Sequence, residues 1–121
     1  MNAENLVWVV DDERSIRWVL EKALARNDWQ VSCFDSAEAM LSALSQATPS
    51  VVITDIRMPG IDGLELLTQL QDSHPEIPVI VMTAHSDLDS AVSSIQSGAF
   101  EYLPKPFEVD EVIEVVTRAL D

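Results

Sequence analysis

Hydrophobic residues in this chain fall into two alternating rhythms. Short apolar runs at residues 6–10, 30–34, 51–54, 79–82 and 102–103 predict five strands. Most are rich in β-branched residues and apolar at successive rather than alternate positions, the pattern of strands covered on both faces. Between them the period lengthens to that of helices. Residues 14–26 put Ile16, Val19, Leu20, Ala23 and Leu24 on one face, and residues 37–45 carry Ala37, Met40, Leu41 and Leu44. A third helix, 64–71, follows Asp62, a capping residue with Glu65 three positions on. A fourth, 87–97, opens at "SDLD" and stops at Gly98. Its apolar face is Leu88, Ala91, Val92 and Ile95, and its polar face is Ser86, Ser90, Ser93, Ser94 and Ser97. The fifth, 109–120, aligns Val109, Val112, Ile113, Val116 and Leu120.

Five βα units in succession predict an α/β fold with a parallel sheet between two helical layers. Right-handed crossovers then favour a flavodoxin-like, doubly wound sheet of order 2-1-3-4-5, with its five helices shared between both faces. The 121 residues suit a single domain, expected to span 1–121. The units do not match one another in sequence, so this is not a solenoid.

That topology gives the polar residues at the strand ends their meaning. The first strand runs into Asp11 and Asp12, the third into Asp55, the fourth into Thr83, and the fifth into Lys105 within "PKPF". In a parallel sheet all carboxyl ends share one rim, and ligands bind there at the point where strand order reverses, here between strands one and three. Adjacent carboxylates repel unless a cation joins them. Oxygen donors without a Cys/His set suit Mg2+ rather than zinc. An Asp in such a site can act as a nucleophile and form an aspartyl phosphate, with metal and lysine offsetting charge on the transferred group. Thr83 could hydrogen-bond a phosphoryl oxygen, and Lys105 could pair with Asp55 before modification and with phosphate after it. Each residue alone has a plainer explanation: a strand-end Asp caps the next helix, a lone Lys sits on the surface, a lone Thr closes a turn. The case rests on all five sharing one rim.

Composition narrows the field further. Net charge is −14, which disfavours direct nucleic-acid binding. No apolar run approaches the roughly 20 residues needed to cross a bilayer, and residues 1–5 lack the basic start of a signal peptide. The single cysteine, Cys33, permits no internal disulfide and reads as a core residue, so a cytoplasmic location is expected. With three glycines there is no Gly-rich phosphate loop, and no serine sits in a nucleophile elbow. His74 falls in a turn and is expected to be exposed; His85 lies beside the predicted rim. Trp18 falls on the outer face of the first helix, where it could serve docking or be an ordinary exposed aromatic.

"VVDDE", "ITDIRMPGIDGLELL", "VIVMTAH" and "GAFEYLPKPF" together resemble the receiver domain of bacterial two-component response regulators, and the likeness covers essentially the whole chain. Within that family it is similar to the nitrogen-regulatory, sigma-54-dependent activators. The resemblance implies that Asp55 is the phosphoacceptor, that Mg2+ is held by Asp11, Asp12, Asp55 and the Arg57 carbonyl, that Thr83 and Tyr102 form a switch pair, that Lys105 contacts phosphate, and that the Lys105–Pro106 bond is cis. It implies a sensor histidine kinase as partner and, in a full-length protein, an AAA+ ATPase and a DNA-binding domain as output; it leaves open a homodimer on activation. Such a domain assists its own phosphorylation without turning over an outside substrate. The alternatives are a free-standing receiver acting by protein binding, and a phosphohydrolase with an Asp nucleophile. The latter usually needs a second acid two residues after the nucleophile, where this chain has Arg57.

Overall fold

The structure is a computed structural model and describes residues 5–84 and 87–121, the side chain of Leu88 excepted. The elements run β1 (Leu6–Val10), α1 (Arg14–Ala25), β2 (Gln30–Phe34), α2 (Ala37–Ala43), β3 (Val51–Asp55), α3 (Gly63–Ser73), β4 (Val79–Thr83), α4 (Leu88–Gln96), β5 (Glu101–Pro104) and α5 (Val109–Leu120). All strand pairs are parallel, in the order β2-β1-β3-β4-β5, as the sequence pattern predicts.

The continuous apolar runs are explained by two cores, one on each face of the sheet. Val7, Val9, Ile53 and Ile80 point toward Leu20 and Leu24 of α1 and Val112 and Val116 of α5. Their neighbours Trp8, Val10, Val52 and Val81 point the other way, toward Met40 of α2 and Leu66, Leu67 and Leu70 of α3. A period of two therefore sorts one apolar run between two helical layers. Trp8 meets Phe34 with ring centroids 5.0 Å apart, tying β1 to β2.

Boundaries differ from expectation in instructive ways. α2 ends two residues early, at Ala43, because the next turn tightens: Leu44 and Ser45 donate to carbonyls three residues back instead of four. β3 and β4 each extend one residue further, to Asp55 and Thr83, whose pairing partners are Met82 and Pro104. Two rim residues are thus themselves part of the sheet, which fixes their backbones. His74, expected to be exposed, is half-buried at the end of α3, where its N–H donates to the Leu70 carbonyl.

The largest departure is α4. Among its described side chains Ala91, of the predicted apolar face, and Ser94, of the predicted polar face, are buried, while Val92 and Ile95 are 48% and 42% exposed. The helix is turned away from the face that its apolar residues predict. Ser94 tolerates burial because its hydroxyl donates to the Ala91 carbonyl one turn back (2.7 Å). Small residues on the seated side let the helix lie close to the sheet. Val19 of α1, expected in the core, is also exposed.

Candidate functional site

The site is assembled at the carboxyl ends of β1, β3 and β5. Asp11 continues β1, its N–H donating to the Phe34 carbonyl, and is fully buried. Its Oδ1 accepts from the Glu13 N–H (2.9 Å) in the turn before α1; Glu13, not Asp11, is the N-cap of that helix, so the plain capping role does not fall to Asp11. Asp12 is exposed. Asp55, the last residue of β3, is buried, and its carbonyl accepts from Thr54 Oγ1 (3.0 Å). One carboxylate oxygen from each of Asp11, Asp12 and Asp55 lies within 4.8 Å of the others. This all-oxygen donor set, partly buried and strongly negative, fits a hard divalent cation such as Mg2+.

Lys105 arrives from the β5–α5 turn, which contains the expected cis Lys105–Pro106 bond. Its Nζ stands 3.3 Å from Asp11 Oδ2 and 3.4 Å from Asp55 Oδ1, with Glu13 Oε1 at 4.0 Å. Burial pushes the Asp55 carboxyl above the usual carboxylate range, and repulsion from Asp11 adds to this against the pull of Lys105. Burial likewise raises Asp11, opposed by the Glu13 N–H and Lys105. For Lys105, burial disfavours the ammonium, but the carboxylates of Asp11 and Asp55 together outweigh it and leave its pKa raised. A charged lysine therefore bridges two acids that burial would otherwise drive toward protonation.

Backbone packing behind Asp55 is equally tight. The Gly63 N–H donates to the Ile56 carbonyl (2.8 Å). A Cβ on Gly63 would collide with the Asp55 carbonyl oxygen and stand 2.7 Å from Ile56 Cα. Only glycine lets the start of α3 pack against the end of β3 in this way.

Of the other predicted residues, Thr83 is buried at the end of β4, and its carbonyl accepts from the Lys105 N–H (2.7 Å). Tyr102 is half-buried on β5 opposite Val81. The Arg57 side chain turns outward and forms a two-pronged ion pair with Asp87, both contacts 2.8 Å. Sequence reasoning missed that pair: the residues are 30 positions apart, and no spacing rule joins a loop arginine to a helix-start aspartate. It also missed Glu13 beside Lys105. His85 lies outside the described residues. Cys33 is half-buried with its thiol pushed up by burial, which fits a packing residue. An apolar groove of about 410 Å³, lined by Ile16, Val19, Ala84, Lys105, Pro106 and Phe107, flanks the cluster. It shares Val19 with a second groove formed by Arg14, Ser15 and Trp18.

A parallel sheet of this order, with acids on β1 and β3 and a lysine after β5, defines a receiver. The chain matches the response regulator receiver domain over residues 7–117 and belongs to that family. It is 57% identical to the DNA-binding transcriptional regulator NtrC of Salmonella typhimurium over 115 residues, 95% of this chain and 24% of that protein. It is 39% identical to the C4-dicarboxylate transport transcriptional regulatory protein DctD of Pseudomonas aeruginosa, over 99% of this chain and 26% of that one. The solution structure of the apo receiver domain of nitrogen regulatory protein C superposes with a TM-score of 0.87 at 57% identity, covering 96% of this chain and 94% of that one. The receiver domain of NtrX from Brucella abortus superposes at 0.91 with 36% identity, covering 94% and 97%. The chain thus spans about a quarter of the length of the curated relatives that it matches.

Proposed function

We propose that this chain is the phosphoacceptor domain of a two-component response regulator and that Asp55 carries the phosphoryl group. The observation that supports this most is the lysine bridge: Lys105 Nζ lies within 3.4 Å of carboxylates from β1 and β3 at a rim where a third acid converges. A carboxylate oxygen of Asp55 attacks the phosphorus of a phosphohistidine on a sensor kinase. The P–N bond breaks as the P–O bond forms, the imidazole leaves with the electron pair and takes up a proton, and Asp55 becomes a mixed anhydride. Asp11, Asp12, Asp55 and the Arg57 carbonyl would hold Mg2+, which would supply positive charge to offset that of the transferring group. Lys105 exchanges its contact with Asp55 for one with a phosphoryl oxygen. The Thr83 hydroxyl donates to another, drawing the end of β4 inward, and Tyr102 responds on β5.

The relatives' names support a transcriptional output. In a full-length protein this receiver would control a sigma-54-dependent activator ATPase and a DNA-binding domain, with phosphorylation acting through α4. Because Val92 and Ile95 already lie on the surface, the switch changes how this apolar edge is held and presented rather than unburying it. A phosphohydrolase reading is disfavoured by Arg57: the position of the second acid holds a guanidinium already paired with Asp87.

Intact mass after incubation with acetyl phosphate tests the reading. The wild-type chain gains one phosphoryl group only when Mg2+ is present, and Asp55→Asn gains none. Equal labelling of Asp55→Asn, or labelling indifferent to Mg2+, overturns the assignment.

A further inference from the structure

We propose that the Asp87 carboxylate is a two-position switch for α4. Bound to Arg57 it ties the start of the helix to the β3–α3 loop; released from Arg57 it caps the helix itself.

Two other helices show what a capping side chain does in this molecule. Ser36 accepts from the Ala39 N–H (3.1 Å) at the start of α2, and Asp62 accepts from the Glu65 N–H (2.9 Å) at the start of α3. Both have extended backbones, with φ/ψ of −154/157 and −87/178. Asp87 precedes the first residue of α4 and is as good a capping type, yet its side chain makes no capping hydrogen bond. Its backbone, at −111/40, is not in the extended region that a cap adopts. Its carboxylate is engaged elsewhere: Arg57 Nε donates to Oδ2 and a terminal Arg57 nitrogen to Oδ1, both at 2.8 Å, and Ser90 Oγ donates to Oδ1 at 3.1 Å.

A planar guanidinium fork holds both oxygens of a carboxylate in one orientation. Capping therefore requires Arg57 to let go and the Asp87 backbone to rotate, and that rotation displaces the start of α4. Solvent around the 73% exposed Arg57 side chain weakens the pair, its two-pronged geometry on the 12% exposed Asp87 strengthens it, and a helix cap offers the Asp87 carboxylate a competing set of bonds. The described side chains of α4 seat it on Ala91 and Ser94, and serine is only a middling helix former, so the bonds made by Asp87 weigh on its first turn. Arg57 is two residues beyond Asp55. Charge arriving at Asp55 competes with Asp87 for the guanidinium and biases the exchange. This last link rests on the phosphoacceptor reading; the exchange of partners does not.

Amide hydrogen exchange of the unphosphorylated chain, read at Asp89 and Ser90, tests the switch. Arg57→Gln frees Asp87 to cap, and exchange at these amides slows about fivefold, the usual worth of a cap. Asp87→Asn caps as well as aspartate but pairs poorly with arginine, so it moves them the same way. Asp87→Ala can do neither, and exchange quickens. Unchanged amides in β1 and β3 verify folding. The switch is overturned if Arg57→Gln leaves Asp89 and Ser90 unaltered, or if Asp87→Asn behaves as Asp87→Ala. In wild type, acetyl phosphate with Mg2+ should produce the same slowing. Its absence, in a sample shown by mass to be phosphorylated, removes the link to Asp55 and leaves the partner exchange standing.

Discussion

Asp55 is constrained twice, once at its carboxyl group and once at its backbone. The carboxyl constraint is electrostatic. Its pKa is raised in the folded chain by burial and by Asp11, so folding favours the protonated form. By linkage, the folded state binds more protons than the unfolded state across that window. Stability is then greatest below the ordinary carboxylate pKa of 3.8 and is lost as pH rises through the raised value. Asp55→Asn removes the ionising group and keeps the shape, so without divalent cations its Tm should exceed wild type at pH 7, with the gap closing toward pH 4. A gap that widened on acidification would contradict the burial argument. The backbone constraint is steric. Gly63→Ala gains up to about 1 kcal/mol of helix propensity, but the added methyl meets the Asp55 carbonyl and Ile56 Cα, backbone atoms that cannot swing aside. Overpacking costs about 1–3 kcal/mol, so the net effect is destabilising and should appear as a lower urea midpoint with unchanged slope. The acids and the lysine were legible as residues because strand order alone brings strand ends together. The Gly63 contact was not, since it depends on how closely α3 approaches β3.

α4 shows where reading by element succeeds and where it stops. β1, β2 and α5 are legible to the residue: β1 is a short apolar run bounded by polar residues, and the broad apolar face of α5, opposed by a polar one, admits one orientation. α4 is legible as a helix but not in its rotation. Ala91 and Val92 are adjacent, Ser94 and Ile95 are adjacent, and turning the helix by one position exchanges one pair member for the other. An apolar count favours burying Val92 and Ile95; close approach to the sheet favours Ala91 and Ser94, and the latter prevails. Truncation separates the two rotations. Val92→Ala and Ile95→Ala should each change unfolding free energy by no more than about 0.5 kcal/mol, as surface substitutions do. Were these side chains in the core, each would cost well over 1 kcal/mol, about 2–5 for the isoleucine. Ala91→Leu should cost about 1–3 kcal/mol, since Ala91 is fully buried and the larger side chain overpacks its site.

Across the whole molecule, charge and apolar surface are distributed so that one side differs from the rest. The chain carries 21 acidic residues against seven basic ones, yet Arg14, Arg17, Lys22 and Arg26 all lie on α1 or at its end. Trp18 stands 60% exposed among them, with Lys22 Nζ 5.9 Å from its ring centroid. Next to this face run the two apolar grooves that meet at Val19, one of them bordered by Lys105. On the proposed function, a kinase presenting a phosphohistidine to Asp55 would approach across the rim, and α1 beside it offers an exposed aromatic and positive charge. A small phosphodonor needs only the pocket. Trp18→Ala should therefore slow phosphotransfer from the kinase tenfold or more, the usual effect of losing a buried aromatic anchor of about 2 kcal/mol. It should leave labelling by acetyl phosphate and thermal stability near wild type, because the side chain is mostly exposed. Parallel loss with both donors would place Trp18 in the stability of α1 rather than in recognition, and the docking face would have to be sought on another side of the rim.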